Sequence, residues 1–298
     1  MSHNSFTFRS VLTLVKRSMV TVATSFSSTI KLNNGMEMPL FGLGVFRSEA
    51  GQSGPAERAV ACALQNGYRM VDTATIYGNQ ADVGAGIKKS GIKREEVFIV
   101  TKLWKNGYET CRDELNNSLE QLDCDYVDLY LIHSPSNGPV LEAYKAMVEF
   151  QQKGLIRSIG VSNFGIHHLE EIRKAGMPTP AVNQIELNPW MRRSDLVQYC
   201  KDHGIAVMGY SPLYRGGKTS DAIVTEMAKS LNKTVGQLLI RYSVQKGYIT
   251  IPKSTNPKHI VENADVFDWV IPEELMKKLE SFPEKPSGWD PVVSPWKG

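Results

Sequence analysis

Residues 71–78 read V-D-T-A-T-I-Y-G and follow Met70. The apolar pair Met70–Val71 is too short for a helix, and the small residues and glycine after it are typical of a strand that runs out into a loop. This loop carries a carboxylate, Asp72, and a phenol, Tyr77. A phenol has a pKa of about 10, so it acts as an acid near neutral pH only when something, such as a nearby ammonium, lowers that pKa.

Two further apolar runs end on a titratable residue in the same way. V-F-I-V-T leads to Lys102, which can supply that ammonium, and V-D-L-Y-L-I leads to His133. Each residue alone is better explained as a loop hydrogen bonder, a half-buried aromatic or a solvated strand end. However, the carboxyl ends of consecutive strands meet at one rim of a parallel barrel, where the active sites of such barrels lie. The joint placement of these titratable residues at consecutive strand ends therefore favours an active site at that rim.

Length and charge fit one globular domain. The chain has 298 residues, 42% of them hydrophobic and 22% charged, and α/β barrels of about 250 residues form a single domain. No apolar run is long enough to predict a transmembrane helix. Residues 1–36 hold four basic residues and no acid, whereas the rest holds 30 basic and 31 acidic residues. We therefore expect neither a nucleic-acid nor a membrane partner.

The cysteines and histidines predict no metal site. The four cysteines lack C-x-x-C spacing, and His167 and His168 are adjacent rather than one helical turn apart. We expect free thiols in a reducing compartment.

Residues 1–28 differ from the rest of the chain. They are rich in serine and threonine, lack acids and interleave apolar residues with Arg9, Lys16 and Arg17. Such a composition is typical of an organelle transit peptide, and it suits equally a disordered extension with an internal start at Met19. We assign residues 1–28 to this leader and 29–298 to the barrel domain. The protein is then cytoplasmic, or mitochondrial if the leader is a transit peptide.

The rest of the chain alternates between strand and helix patterns. Residues 29–32 and 36–39 flank N-N-G and predict a small hairpin, which we expect to close the bottom of the barrel. The predicted strands are 41–45, 68–72, 97–102, 127–133, 156–161, 181–185, 205–210 and 248–251. The predicted helices are 55–65, 81–89, 110–122, 140–152, 167–175, 194–203, 221–230, 234–246 and 259–264.

Eight apolar strands with a helical pattern after each predict an α/β fold of the (β/α)8 TIM barrel type. Near-continuous apolar strands suit a parallel sheet that is covered on both faces. A doubly wound nucleotide-binding sheet is the structural alternative. That fold requires G-x-G-x-x-G after its first strand, but Gly42 and Gly44 are followed by Arg47 where the third glycine belongs.

The sequence resembles the aldo-keto reductase family from about Ile30 to Asp290. The resemblance rests on seven motifs in the family's order: G-Y-R-M-V-D-T-A-T-I-Y-G-N (67–79), T-K-L-W (101–104), D-L-Y-L-I-H (128–133), G-V-S-N-F (160–164), N-Q-I-E-L-N-P (183–189), Y-S-P-L (210–213) and I-P-K-S (251–254). One such string would be weak support, whereas seven in register are specific.

The resemblance implies a catalytic set of Asp72, Tyr77, Lys102 and His133. Tyr77 would give a proton to the substrate carbonyl as hydride arrives from NADPH, Lys102 paired with Asp72 would lower the pKa of the phenol, and His133 would orient the carbonyl. The substrate pocket would include Phe46, Trp104 and His133. The implied cofactor-binding residues are Ser162, Asn163, Gln184, Tyr210, Ser211, Leu213, Lys253, Ser254, Asn256, His259, Glu262 and Asn263.

Three positions depart from the family pattern. His259 stands where many members have an arginine that grips the 2′-phosphate, which weakens the expected preference for NADPH over NADH. Phe46 and Ser134 stand where many relatives have tryptophan, which predicts a wider pocket unless Trp289 in the C-terminal tail supplies an aromatic wall. The loop after Tyr210 is short, so we expect no long lid over the cofactor.

These features predict an NADPH-dependent carbonyl reductase that acts as a monomer on aldehydes and some ketones. Two other classes fit parts of the sequence. One is a non-catalytic NADP(H)-binding regulatory subunit on the same barrel, which a cofactor-oxidation assay would distinguish. The other is a barrel aldolase with Lys102 as Schiff-base nucleophile, which needs an uncharged amine rather than one beside Asp72.

Overall fold

The computed structural model describes residues 21–48 and 54–298, so most of the proposed leader lies outside the described part. The strands are β1 (Thr29–Lys31), β2 (Glu37–Pro39), β3 (Leu43–Gly44), β4 (Met70–Asp72), β5 (Phe98–Leu103), β6 (Val127–Ile132), β7 (Ile156–Ser162), β8 (Val182–Glu186), β9 (Ala206–Tyr210) and β10 (Ile249–Thr250). The helices are α1 (Pro55–Gln65), α2 (Gln80–Ser90), α3 (Tyr108–Leu122), α4 (Val140–Gln152), α5 (Ile166–Lys174), α6 (Ser194–Asp202), α7 (Ala222–Ser230), α8 (Val235–Gln245), α9 (Pro257–Glu262) and α10 (Glu273–Glu280).

The predicted hairpin forms and covers the amino-terminal end of the barrel. β1 and β2 pair antiparallel, with Ile30 opposite Met38. At the turn, the Asn34 amide donates to the Ser158 hydroxyl at 2.8 Å and the Asn33 amide donates to the Pro180 carbonyl at 3.1 Å. Ser158 lies near the start of β7, and Pro180 precedes β8. The hairpin therefore closes the bottom of the barrel, as the sequence predicts.

Strands β3 to β10 pair in chain order, and every pairing is parallel. The two ends of this sheet are joined by backbone bonds: Gly42 N–H donates to Thr250 O at 3.0 Å, and Thr250 N–H donates to Leu40 O at 3.0 Å. A Cβ added at Gly42 would come within 2.7 Å of the Met70 side chain on β4, so glycine at this position allows the close approach to that neighbouring strand. The (β/α)8 barrel is confirmed.

The strands are short, and their interior is apolar. β5 and β6 are buried along their whole length, which explains why their sequences read as continuous apolar runs rather than alternating ones. Helices α1 to α9 pack around this sheet, with α1 against both α2 and α9. All the carboxyl ends of the strands consequently point to one rim.

Three details differ from the sequence-based prediction. Helix α9 starts two residues earlier than predicted, because Asn256 caps it by accepting a bond from Lys258 N–H and Pro257 occupies its first turn. Helix α10 was not predicted, since its charged sequence buries only Leu279. Lys102 lies inside β5 rather than at its end, because the strand continues to Leu103.

Residues 21–28 pack against the barrel, although composition groups them with the leader. Ala23 is 2% exposed, and the Phe26 ring lies 5.0 Å from Tyr68, 5.4 Å from Phe267 and 6.1 Å from Phe41 between centroids. The leader assignment stays a prediction for residues 1–20, which lie outside the described part.

Candidate active site

The strand ends bring Lys102 and Asp72 together as a buried ion pair. The Lys102 ammonium lies 2.7 Å from an Asp72 carboxylate oxygen and donates to the Thr73 carbonyl at 2.8 Å. The other Asp72 oxygen accepts a bond from the Gln184 amide at 2.7 Å. Burial lowers the pKa of Lys102 and raises the pKa of Asp72, and the mutual attraction opposes both shifts. Lys102 is fully buried, so its charge acts on nearby groups with little screening by solvent.

Tyr77 lies beside this pair, with its hydroxyl oxygen 3.5 Å from the Lys102 nitrogen. It ends a short 3₁₀ turn, Thr75–Tyr77, which stops at Gly78 in a left-handed conformation (φ 66°). The ammonium also lies 5.0 Å from the centre of the Tyr77 ring. Sequence reasoning thus predicted the contact between Tyr77 and Lys102.

The expected direction of the Tyr77 pKa is wrong. The pKa is raised well above 10.0, first because protein atoms surround the hydroxyl and then because of Asp72 and Tyr210, while Arg215 lowers it. Asp72 offsets the attraction of the Lys102 ammonium for a phenolate, so burial sets the direction of the shift. Tyr77 is therefore a protonated phenol at neutral pH.

His133 follows β6 and faces Tyr77 across the rim. Its ring centre lies 5.7 Å from that of Tyr77 and 5.2 Å from that of Trp104. Burial, and secondarily Lys102, lower the pKa of His133 well below 6.5, so the imidazole is neutral. The Nδ1 atom is buried without a partner among the residues that the structure describes.

These side chains lie at a cavity of about 530 Å³ at the carboxyl ends of the strands. Twelve of the predicted site residues line it: Phe46, Asp72, Tyr77, Trp104, His133, Ser162, Asn163, Gln184, Tyr210, Ser211, Leu213 and Lys253. Lys102 lies beneath the cavity, behind Asp72. The cavity has the polar groups on its floor and aromatic rings on its walls, a common arrangement in small-molecule sites.

Polar groups from three neighbouring strands form the floor of the cavity. The Tyr210 hydroxyl donates to the Asn163 amide oxygen at 2.8 Å, and the Asn163 amide donates to the Ser162 hydroxyl at 3.1 Å. The Gln184 amide nitrogen donates to Asp72. Within the described ranges, no group donates to the side-chain oxygen of Gln184. The Ser162 hydroxyl donates to the Gln184 backbone carbonyl at 2.9 Å. The Gln184 side-chain oxygen and the Ser162 oxygen can therefore accept bonds from the amide nitrogen of a carboxamide. These residues fit a nicotinamide.

The remaining predicted cofactor residues follow β10. Lys253 lines the cavity, whereas Ser254, Asn256, His259, Glu262 and Asn263 do not. Asn256 caps α9, Glu262 accepts a bond from the Thr234 hydroxyl at 2.6 Å, and His259 is exposed. The group forms a polar surface that continues outward from the cavity over α9, so its assignment to the cofactor stays a prediction.

Aromatic rings form the wall next to His133. Phe46 is 4.9 Å from Tyr77, and Trp104 is 6.2 Å from Trp289, between ring centres. Trp289 lines the cavity, so the C-terminal tail supplies an aromatic surface. Ser134 is buried and accepts a bond from Ser136 N–H at 3.1 Å instead of facing the cavity.

Sequence reasoning missed several residues that line the cavity, chiefly Arg215, Arg47 and Ile76. Arg215 belongs to the loop after β9 and lies five residues beyond the end of that strand at Tyr210, so the strand-end pattern that identified His133 does not reach it. No group of histidine, cysteine or acidic residues in the described ranges could hold a metal ion. Likewise, no helix of residues 21–48 and 54–298 is long and apolar enough to cross a membrane.

The chain belongs to the aldo/keto reductase family, whose model matches residues 41–284. The glyoxal reductase of Bacillus subtilis (strain 168) is 45% identical over 261 residues, 87% of this chain and 94% of the relative. The 9,11-endoperoxide prostaglandin H2 reductase of Trypanosoma cruzi (strain CL Brener) is 41% identical over 268 residues, 88% of this chain and 94% of the relative.

A solved structure supports the same assignment. The crystal structure of a Bombyx mori aldo-keto reductase in complex with NADP matches with a TM-score of 0.78 and 37% identity, over 86% of this chain and 92% of that one. NADP(H) is the cofactor of this family.

Proposed function

We propose that this protein is a carbonyl reductase, which uses NADPH to reduce aldehydes and some ketones to alcohols. The observation that supports this most is the buried Lys102–Asp72 pair with the Tyr77 hydroxyl 3.5 Å from its ammonium, at the floor of the cavity. A proton donor, a buried cation and carboxamide partners share one site there, as carbonyl reduction by a nicotinamide requires.

Bound NADPH would supply the hydride to the carbonyl carbon. The neutral imidazole of His133 and the Tyr77 hydroxyl would hold the carbonyl oxygen, and the Tyr77 proton would move to that oxygen as the alcohol forms. The resulting phenolate would lie 3.5 Å from the Lys102 ammonium, which stabilises it. Lys102 would therefore lower the free-energy cost of forming the phenolate, and so oppose the burial that raises the pKa of Tyr77.

The cofactor would lie along the carboxyl ends of β7 to β10. Ser162, Asn163 and Gln184 would bind the carboxamide, and the Tyr210 ring would stack on the nicotinamide. Lys253 and the polar residues that follow it would bind the 2′-phosphate, with His259 as a weaker partner than arginine. We therefore propose a preference for NADPH over NADH that is modest in size.

Replacing Tyr77 with phenylalanine tests this function. We expect Tyr77→Phe to bind NADPH as the unaltered protein does but to reduce a test aldehyde at least about a hundredfold more slowly, because the proton donor is lost. Cofactor fluorescence measures binding, and NADPH and NADH oxidation measure turnover. Unchanged reduction by Tyr77→Phe would remove this residue from its role. An absence of turnover in the unaltered protein would favour a regulatory subunit.

The aldolase alternative receives less support. Lys102 is 0% exposed, does not line the cavity and gives two bonds to Asp72 and Thr73. It therefore has no free path to a substrate carbonyl. Failure of borohydride to trap a substrate on the protein would agree with this.

We further propose that the protein acts as a monomer in the cytoplasm, with mitochondria as the alternative if residues 1–28 are a transit peptide. Sedimentation of the purified protein tests its oligomeric state, and imaging of fusions that begin at Met1 or Met19 tests its compartment.

A further inference from the structure

Arg215 is a cavity-lining cation to which the proposed reaction gives no role. It lies in the loop that follows β9, and it is exposed on the cavity side. No residue in the ranges 21–48 and 54–298 forms a hydrogen bond or an ion pair with its guanidinium. The one acid that lines the cavity, Asp72, uses both carboxylate oxygens for Lys102 and Gln184. The guanidinium is therefore free to bind an anion.

The backbone that carries Arg215 is strained. Ser211, Tyr214 and Arg215 adopt left-handed conformations with φ of 52°, 50° and 53°, although none of them is glycine. Such conformations cost about 1–3 kcal/mol each and are concentrated at functional sites. Gly216 is also left-handed (φ 83°), so residues 214–216 form a continuous left-handed stretch in which only the last residue is glycine. These conformations fix the path of the loop and therefore the position from which the Arg215 side chain extends.

The guanidinium lies against the C-terminal tail that carries Trp289. A Cβ added at Gly288 would come within 2.8 Å of its Nη1, so the group lies against the backbone next to Trp289. Trp289 packs on Trp104, and Trp104 packs on His133. The charge of Arg215 also lowers the pKa of Tyr77, so it is felt at the proton donor. Lys253, in contrast, adjoins β3 through its bridge to Gly44, at the seam of the barrel.

We propose that Arg215 binds a carboxylate on the substrate, so that the enzyme prefers aldehydes and ketones that also carry an acid group. This inference rests on the proposed function. A planar guanidinium binds a carboxylate through two parallel bonds. The rings of Trp104 and Trp289 hold the apolar part of the molecule, which connects the carbonyl at Tyr77 to the acid at Arg215.

The test compares two aldehydes that share one aromatic ring system but differ in charge, 4-carboxybenzaldehyde and its neutral methyl ester. We expect Arg215→Gln to lower kcat/KM for the acid at least about tenfold, the effect of losing one charged hydrogen-bond partner. The kcat/KM for the ester and the KM for NADPH should stay within about twofold of their values in the unaltered enzyme. Arg215→Lys should recover part of the activity on the acid, and added salt should lower kcat/KM for the acid in the unaltered enzyme.

Lys218→Gln is the matched control, since Lys218 lies in the same loop without lining the cavity. Lys218→Gln should leave the ratio of kcat/KM for the acid to kcat/KM for the ester unchanged. Equal losses on both aldehydes with a raised KM for NADPH would assign Arg215 to the cofactor and overturn the proposal. An unchanged ratio in Arg215→Gln would overturn it too. If the unaltered enzyme oxidises NADPH with neither aldehyde, the proposed function itself fails.

Discussion

Tyr77 determines how the activity should depend on pH. In the proposed reaction, reduction consumes the phenol proton. The pKa of Tyr77 is raised well above 10.0, so the phenol stays protonated up to about pH 9. His133 stays neutral, because its pKa is lowered well below 6.5. We therefore expect kcat for aldehyde reduction to change less than about threefold between about pH 6 and pH 9.

The reverse reaction should behave differently. Alcohol oxidation with NADP⁺ needs the phenolate as a base, and less of it forms the further the pH lies below a raised pKa. The oxidation rate should therefore rise across the same range, by up to about tenfold per pH unit. Initial rates in both directions, with one buffer series, check this. A reduction rate that falls around pH 7 would show that another group controls proton transfer.

At the level of single residues, the sequence predicted which side chains meet but not how their pKa values shift. The order of Asp72, Tyr77, Lys102 and His133 along consecutive strand ends was sufficient to group them. The raised pKa of Tyr77 depends on the protein atoms around its hydroxyl and on Asp72 balancing Lys102. Neither quantity can be read from the order of residues.

At the level of elements, helix α3 connects two loops of the candidate site through Glu114. Its carboxylate accepts bonds from Trp104 N–H and the Thr75 hydroxyl, both at 2.9 Å, and from Lys105 N–H at 3.3 Å. Thr75 begins the turn that carries Tyr77, and Trp104 lines the cavity. Glu114 is therefore a positioning residue for both the proton donor and the pocket.

Removing this carboxylate should disturb catalysis more than stability. We expect Glu114→Ala to lower kcat/KM for an aromatic aldehyde about tenfold to a hundredfold, with a lower kcat as well as a higher KM, because small displacements of reacting groups are costly. Glu114→Gln keeps one acceptor oxygen and should recover most of the activity. Steady-state kinetics with thermal denaturation of each variant measures both effects.

The control for Glu114 is Glu120→Ala, which lies on the exposed face of the same helix. Glu120→Ala should have the same kcat and KM as the unaltered protein. If Glu114→Ala has a kcat/KM within twofold of Glu120→Ala, the carboxylate does not position the loops.

Most elements could be predicted because their apolar runs are bounded by turn residues. The eight strands, the hairpin and the helices that pack on the barrel all have such patterns. Helix α10 does not, since one buried leucine among charged residues gives no clear periodicity. The loop after β9 was also beyond prediction, because its left-handed residues are not glycines and its direction depends on contact with Gly288. For this reason the sequence did not identify Arg215.

At the level of the whole molecule, the number of strands predicted a closed barrel, but the bonds that close it join residues about two hundred positions apart. The seam pairs Phe41 with Thr250. Beneath it, Phe41 packs against Tyr68 and Phe267, and the Tyr68 hydroxyl donates to Ile260 O at 2.8 Å. This aromatic cluster links β3 and α9, so it supports the region where the cofactor is proposed to bind.

Phe26 completes this cluster, which leads to a prediction about stability. Its ring contacts all three aromatic residues, and it is half-buried, so Phe26→Ala should cost about 2 kcal/mol of unfolding free energy, less than a fully buried phenylalanine. For a domain of this size, the Tm should fall by roughly 4–8 °C. Val270→Ala, at a side chain that is 66% exposed, should leave the Tm unchanged.

Two truncations test whether residues 21–28 stabilise the barrel domain. Removing residues 1–28 deletes Phe26 and the buried Ala23, whereas removing residues 1–20 deletes neither. The longer truncation should therefore lower the Tm at least as much as Phe26→Ala, and the shorter one should not, as measured by calorimetry of both proteins. Equal Tm values for the two truncations would mean that residues 21–28 contribute nothing to the barrel, and that the domain begins at Thr29.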